Sequence, residues 1–114
     1  MTILRIQMLL DEINDVLRKH NVRNWTDVLL DIANQIEQAK NLNDPSHILA
    51  FIEEIKGLYS GMGSFNDIFI TDQAGHDISP EDIDIVNSRL QTLQTELYLE
   101  VKNTEAQLKS DNKS

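Results

Sequence analysis

Residues 79–101 read SPEDIDIVNSRLQTLQTELYLEV, and this stretch decides the fold class. Ser79 is predicted to cap this helix, and Pro80 follows at the first helical position, which proline favours because it has no N–H group to leave unpaired there. Acidic residues follow in the first turn, where the positive end of the helix dipole stabilises them. Apolar residues then recur almost as a heptad, at Ile83, Val86, Leu90, Leu93, Leu97 and Val101. The stretch therefore predicts a long amphipathic helix.

The same apolar spacing predicts three further helices upstream. The first runs from about residue 2 to about residue 20, and the second begins at Trp25. Asp44 as N-cap and Pro45 at the first position open the third helix, which ends by Gly61. Because short connections imply antiparallel neighbours, we predict an all-α protein. Its expected architecture is a four-helix up-down bundle with one longer irregular loop between helices three and four.

The chain length indicates a single domain. At 114 residues and 13.1 kDa, two separate cores would each be close to the size at which folding alone becomes marginal. The apolar pattern of the last helix thins after Ala106. We therefore predict one helical domain over residues 1–108 and a frayed C-terminal tail over residues 109–114.

Composition excludes several classes of protein. The chain has no cysteine, so it forms neither disulfides nor thiolate zinc sites. It has no apolar run long enough to cross a bilayer, and its first residues lack the basic segment of a secretory signal. The net charge of −9 argues against direct nucleic-acid binding, which depends on clustered Lys and Arg. We expect a cytoplasmic protein without membrane contact.

Motifs for catalysis and metal binding are missing from the sequence. The three histidines, His20, His47 and His76, lie in or beside separate predicted connections, and no nucleophile or metal-binding motif accompanies them. A calcium loop starting at Asp72 would need oxygen ligands at its third and fifth positions, which are Ala74 and His76. We expect no enzyme activity, no metal and no cofactor.

Acidic residues concentrate in one part of the chain. Residues 57–88 contain no Lys or Arg and six carboxylates, here called the acidic set: Asp67, Asp72, Asp77, Glu81, Asp82 and Asp84. The helix dipole accounts for the acids at the start of the last helix but not for the three that precede it. The set predicts a negative surface that steers a basic protein partner.

Aromatic residues are few, and most of them are expected in the core. Phe51, Tyr59, Phe65 and Phe69 are expected to fill the bundle, and Trp25 to anchor its core or rim. Tyr98 follows Leu97 and so lies off the apolar stripe of the last helix. It is a candidate partner contact, because tyrosine is enriched at binding hot spots, or alternatively a half-buried rim residue.

A glycine-bearing motif follows the third helix, where residues 59–68 read YSGMGSFNDI. Its glycines at positions 61 and 63 allow the chain to turn sharply at the end of the helix. Ser64 can form a capping or bridging hydrogen bond, and the Phe65 side chain can return to the core. Asparagine and aspartate side chains bond local backbone in tight turns. Turn structure alone therefore explains the motif residues Gly61, Met62, Gly63, Ser64, Phe65 and Asn66.

This motif resembles the Tyr-Gly-Gly-Met-Gly-Ser-Phe-Asn-Asp-Leu stretch of a small bacterial helical family with a domain of unknown function. The resemblance covers about ten residues, and Ser60 replaces the second glycine of the pattern. Proteins of that family are similar in size and acidity to immunity proteins that neutralise secreted polymorphic or contact-dependent toxins. The resemblance implies a non-enzymatic protein that blocks a basic toxin domain by stoichiometric binding.

A structural or adaptor subunit of a larger bacterial assembly is the alternative function. Such a subunit would use an interface on helix four, where the heptad pattern lies. For either function we expect a protein partner and a chain that is a monomer or a weak homodimer.

Overall fold

The structure is a computed structural model that describes residues 3–42, 44–60 and 65–111. Within these ranges it contains four α-helices and no strand. They are α1 (Ile3–Lys19), α2 (Thr26–Leu42), α3 (Pro45–Leu58) and α4 (Ile83–Asp111). The prediction of an all-α protein with four helices is confirmed.

The predicted start of the third helix is confirmed in detail. Asp44 has an extended backbone, and its carboxylate accepts a hydrogen bond from the Ser46 N–H at 3.0 Å, while Pro45 occupies the first turn. This backbone hydrogen bond holds the pKa of Asp44 below its usual value. Asn21 follows the end of α1 with a φ of 59°, a left-handed conformation that asparagine tolerates better than most residues.

The start and end of α4 differ from the expected positions. Ser79 makes no side-chain capping hydrogen bond, so its predicted role as a helix cap is wrong. Pro80–Asp82 form a 3-10 turn, and the α-helix begins only at Ile83. At its other end α4 continues through Asp111 and so reaches into the predicted tail at 109–114. Residues 112–114 lie outside the described ranges.

Apolar faces of all four helices form one core. α1 contacts α2 and α4, and α3 contacts the same two helices. Ile6, Ile32, Phe51 and Leu97, one from each helix, are completely buried in this core. The 29 residues of α4 account for an elongated molecule of 53 × 23 × 21 Å. No helix in the described ranges is both long and apolar enough to span a membrane.

The connection between α3 and α4 is the longest in the chain. The structure describes residues 59–60 and 65–82 of it. Residues 65–82 are here called the capping loop and contain 3-10 turns at Phe65–Asp67, Asp72–Ala74 and Pro80–Asp82. The motif residues Gly61, Met62, Gly63 and Ser64 lie outside the described ranges. Of the other two motif residues, Phe65 is completely buried and Asn66 is exposed.

Candidate functional site

Two buried amides of α4 hold the capping loop. The Asn87 Nδ2 group donates to the Ile70 carbonyl at 2.8 Å, and its Oδ1 accepts from the Ile70 N–H at 2.8 Å. Gln94 Nε2 donates to the Phe65 carbonyl at 2.7 Å. Because loop backbone lacks partners from a helix or sheet, these side chains supply the hydrogen bonds that its buried groups need. The sequence interpretation did not identify either amide as a loop anchor.

His20 and His76 hold the part of the capping loop at residues 71–77. His20 Nδ1 lies 2.7 Å from the Asp77 carbonyl, and the Asp77 N–H donates to the His20 carbonyl at 2.9 Å. Since a carbonyl oxygen only accepts, the proton of His20 is on Nδ1. His76 Nδ1 instead accepts from the Thr71 N–H at 3.1 Å. These contacts join the loop to the end of α1 and close the turn at residues 71–76.

Aromatic rings connect the capping loop to the residue before α2, to the residue after α3 and, through Tyr59, to α4. The buried Phe65 ring meets the edges of Trp25 and Tyr59, each with a centroid distance of 5.5 Å, and Tyr59 meets Tyr98 at 5.0 Å. The Tyr59 hydroxyl donates to the Gln94 carbonyl at 2.7 Å, and burial raises the pKa of this phenol. The loop entrance is therefore anchored by packing as well as by hydrogen bonds.

Phe69 does not fill the bundle, and that expectation is wrong. Its side chain is 56% exposed, whereas the next residue, Ile70, is completely buried and held by Asn87. The hydrogen bonds to Asn87 hold the Ile70 backbone against α4, while the neighbouring Phe69 side chain lies at the surface. Phe51 and Phe65 are buried in the core as expected. Phe69 therefore adds an apolar group to a surface that is otherwise acidic.

All six members of the acidic set are exposed. Elsewhere in the described ranges, carboxylates such as Glu12, Glu37 and Glu96 pair with Lys or Arg. Within those same ranges no ion pair involves the last five members of the set, Asp72, Asp77, Glu81, Asp82 and Asp84. Their negative charge is thus not neutralised by pairing within the described part of the molecule.

The acidic set is spread over the loop and the start of α4. In the described part of the chain, no group of three or more His, Asp or Glu residues is arranged to hold a metal ion. Tyr98 is 37% exposed. It borders a hollow of about 290 Å³ together with Asn66, Thr95 and Leu99.

A second hollow lies between the capping loop and the start of α2. It has a volume of about 200 Å³, and its lining includes Trp25, Asp67, Phe69 and His76. We call it the Trp25 pocket. It combines an acidic side chain with two aromatic ones. Sequence spacing gives no signal for it, because Trp25 and the loop residues are far apart in the chain.

Comparison with protein families gives one match. Residues 18–79 match the model of a family described as a domain of unknown function, DUF6966. The matched part runs from the end of α1 through α2, α3 and most of the capping loop. No curated protein and no solved structure matches the chain significantly. Because the matched residues make up more than half of the chain, the protein belongs to the DUF6966 family.

Proposed function

We propose that the protein is a non-enzymatic immunity protein that neutralises a secreted or contact-dependent bacterial toxin by stoichiometric binding. One observation supports this proposal above others: the exposed carboxylates at positions 72, 77, 81, 82 and 84 have no ion-pair partner among the described residues. An unneutralised acidic surface complements a basic toxin domain. In this proposal the protein acts in the cytoplasm, as a monomer or a weak homodimer.

The acidic set has its main effect on the rate of encounter. Clustered charge of one sign attracts a partner of the opposite sign and raises the association rate, and salt weakens this attraction. Exposed aromatic and apolar groups such as Phe69 and Tyr98 then provide the buried centre of the interface. If the toxin is a nuclease, its phosphate-binding cleft supplies the basic groups.

The helices serve as the scaffold of this surface. The ring of contacts from α1 to α2, α3, α4 and back to α1 supports an up-down bundle. In that arrangement the C-terminal ends of α1 and α3 and the N-terminal ends of α2 and α4 point the same way along the bundle, and the capping loop lies on that side. The loop bonds His20 after α1 and packs on Trp25 before α2, which agrees with that position.

A binding experiment with the product of the neighbouring gene tests the proposal. We expect a one-to-one complex in size-exclusion chromatography with light scattering, and protection of cells that express the toxin. The variant Asp72→Lys/Asp77→Lys should lower the association rate about tenfold at low salt. The matched control Asp11→Lys/Asp15→Lys changes two exposed acids of α1 and should have a much smaller effect. Absence of both complex and protection would refute the immunity role.

An adaptor subunit with a helix-four interface is the second candidate. The heptad side of α4 is occupied in the chain's own core, where Leu90, Leu97 and Val101 are completely buried. Such an interface would have to use the outer side, on which Ile85 and Leu99 are 72% and 57% exposed. A tight homodimer that survives Asp72→Lys/Asp77→Lys and is broken by Leu99→Glu would favour this function over toxin neutralisation.

A further inference from the structure

We propose that the Trp25 pocket receives one arginine side chain of the protein partner. This inference rests on the proposed function as a protein-binding module and specifies the chemical group that the capping loop recognises. The lining of the pocket, its charge and the fixed position of its aromatic wall support this assignment.

The size of the pocket suits a single long side chain. Its volume of about 200 Å³ is below the roughly 300–1,000 Å³ of sites that bind drug-sized ligands. It is an open hollow between the segment at Val22 and Trp25 and the loop residues around Ile68. A small cavity of this shape fits the end of an extended side chain better than a drug-sized ligand, which requires a larger and deeper site.

Aromatic groups give the pocket its affinity for a flat cation. Phe69 is 56% exposed, and Trp25 is only partly buried, so the lining contains aromatic surface available to a partner. The edge contact between Trp25 and Phe65 holds the indole ring in place before a partner arrives. Guanidinium groups stack on aromatic faces, and an ammonium group stacks less well because it is compact and strongly hydrated.

The charge of the pocket also selects a cation. Among the described residues that line it, Asp67 is the only carboxylate, and none is a Lys or Arg. Asp67 already makes an interaction within the chain, but a carboxylate has about four acceptor positions and can accept further hydrogen bonds. His76 uses Nδ1 to accept the Thr71 N–H, which requires that this nitrogen be unprotonated. In this arrangement the histidine therefore carries no positive charge that would repel an arginine side chain.

The two other hollows with comparable lining lack this combination. The groove between α1 and α4 contains Lys19 and Arg89 beside its carboxylates, so charges of both signs face a guest there. The described residues that line the hollow at Tyr98 and Leu99 include no charged side chain. The Trp25 pocket is the one of the three that joins a single sign of charge to aromatic surface.

Peptide titration tests this inference directly. The probe is acetyl-Gly-Arg-Gly-amide, with the lysine and the citrulline peptides as matched controls. Trp25 is the only tryptophan of the chain, so its fluorescence and its indole N–H signal in NMR report on the pocket. We expect a saturable change with Kd in the millimolar range for arginine, about threefold weaker binding for lysine, and no saturation for citrulline.

Two pocket variants sharpen this test. Phe69→Ala should weaken arginine binding about threefold, and Asp67→Asn should weaken it as well. Leu99→Ala, with a similarly exposed side chain outside the pocket, should leave binding unchanged. Because Phe69 is exposed, its replacement keeps the fold, and a thermal melt verifies this. Equal binding of arginine and citrulline, no saturable response at millimolar peptide, or unaltered binding by Phe69→Ala would overturn the inference.

Failure of this inference is distinguishable from failure of the immunity role. A toxin complex whose affinity is unaffected by Phe69→Ala would overturn the arginine pocket and leave toxin neutralisation intact. If the protein binds the arginine peptide but forms no complex with the product of the neighbouring gene, the arginine pocket is supported and the immunity role is refuted.

Discussion

At the scale of single residues, Tyr59 couples the stability of the fold to alkaline pH. Its hydroxyl donates to the Gln94 carbonyl, and burial raises the pKa of the phenol. Above about pH 10, where an unfolded tyrosine ionises, the native state therefore binds more protons than the unfolded state. The stabilisation is complete below that pH and is lost as the pH rises toward the folded-state pKa.

We therefore expect Tyr59→Phe to lower the free energy of unfolding by about 1 kcal/mol at neutral pH, because one hydrogen bond is lost. Between about pH 9 and pH 11 the variant should lose stability less steeply than the natural chain. Urea unfolding at neutral pH measures the first effect, and urea unfolding across about pH 9 to 11 measures the second. Tyr98→Phe is the control and should lose less at neutral pH, and equal losses would contradict the role of the Tyr59 hydroxyl.

Asn14 illustrates the opposite effect of a buried amide. The residue is 8% exposed, and its Oδ1 has no hydrogen-bond partner in the described part of the chain. We expect Asn14→Leu to raise the free energy of unfolding by about 1 kcal/mol, because an unpaired buried acceptor is removed. Asn87→Leu is the matched substitution and should lower it by about 2 kcal/mol, since it leaves Ile70 groups unpaired. Chemical denaturation measures both, and a loss in Asn14→Leu would contradict the prediction.

At the scale of elements, Glu105 links α4 to α3. Its Oε2 accepts from Lys56 Nζ at 2.8 Å, although Glu105 is only 5% exposed. This hydrogen bond lowers the pKa of Glu105 and raises the pKa of Lys56. A depressed folded-state pKa means that the stabilisation is present above about pH 4.3 and is lost as the pH falls.

We expect Glu105→Gln to be less stable than the natural chain at neutral pH and to lose less further stability below about pH 4.5. Helix content followed by circular dichroism during urea unfolding at neutral and acidic pH measures the difference. Glu96→Gln is the control, because the Arg5–Glu96 pair is exposed and such pairs contribute little. An identical acid response in the Glu105 variant would show that the link does not stabilise the fold.

The helices could be predicted from sequence because their signals are local. The apolar stripe of α1 and the Asp44–Pro45 start of α3 depend on residues three or four positions apart. Ser79 carried the same local signal, but the chain there forms a 3-10 turn without a side-chain cap. This 3-10 turn separates Ser79 from the α-helix, which begins at Ile83, and the local signal does not indicate that turn.

The candidate site could be predicted only in part, since its contacts are long-range. The charges of the acidic set are visible in the sequence, but the loop's position depends on Asn87 and Gln94, which bond backbone 17 and 29 residues away. A lone amide within an apolar stripe gives no periodic signal of such a partner. The same holds for Phe69, because the sequence gives no signal that it is exposed beside the buried Ile70.

At the scale of the whole molecule, the net charge of −9 is unevenly distributed. Six carboxylates and no Lys or Arg occur in residues 57–88, and all six side chains are exposed. Like charges in a folded segment repel one another more than in an extended chain, so this segment destabilises the compact state. Added salt screens the repulsion, because the Debye length falls from about 30 Å at 0.01 M to about 10 Å at 0.1 M.

We therefore expect the urea midpoint of the natural chain to rise with NaCl over about 0.01 to 0.1 M. Asp72→Asn should raise the midpoint in the lowest salt and reduce the gain from added salt, because it removes one charge from the crowded segment. Asp11→Asn removes an equal charge from α1 and should change the salt response less. Equal responses of the two variants would show that repulsion is spread evenly over the surface. The acidic set would then not be a distinct charged centre for a partner interface.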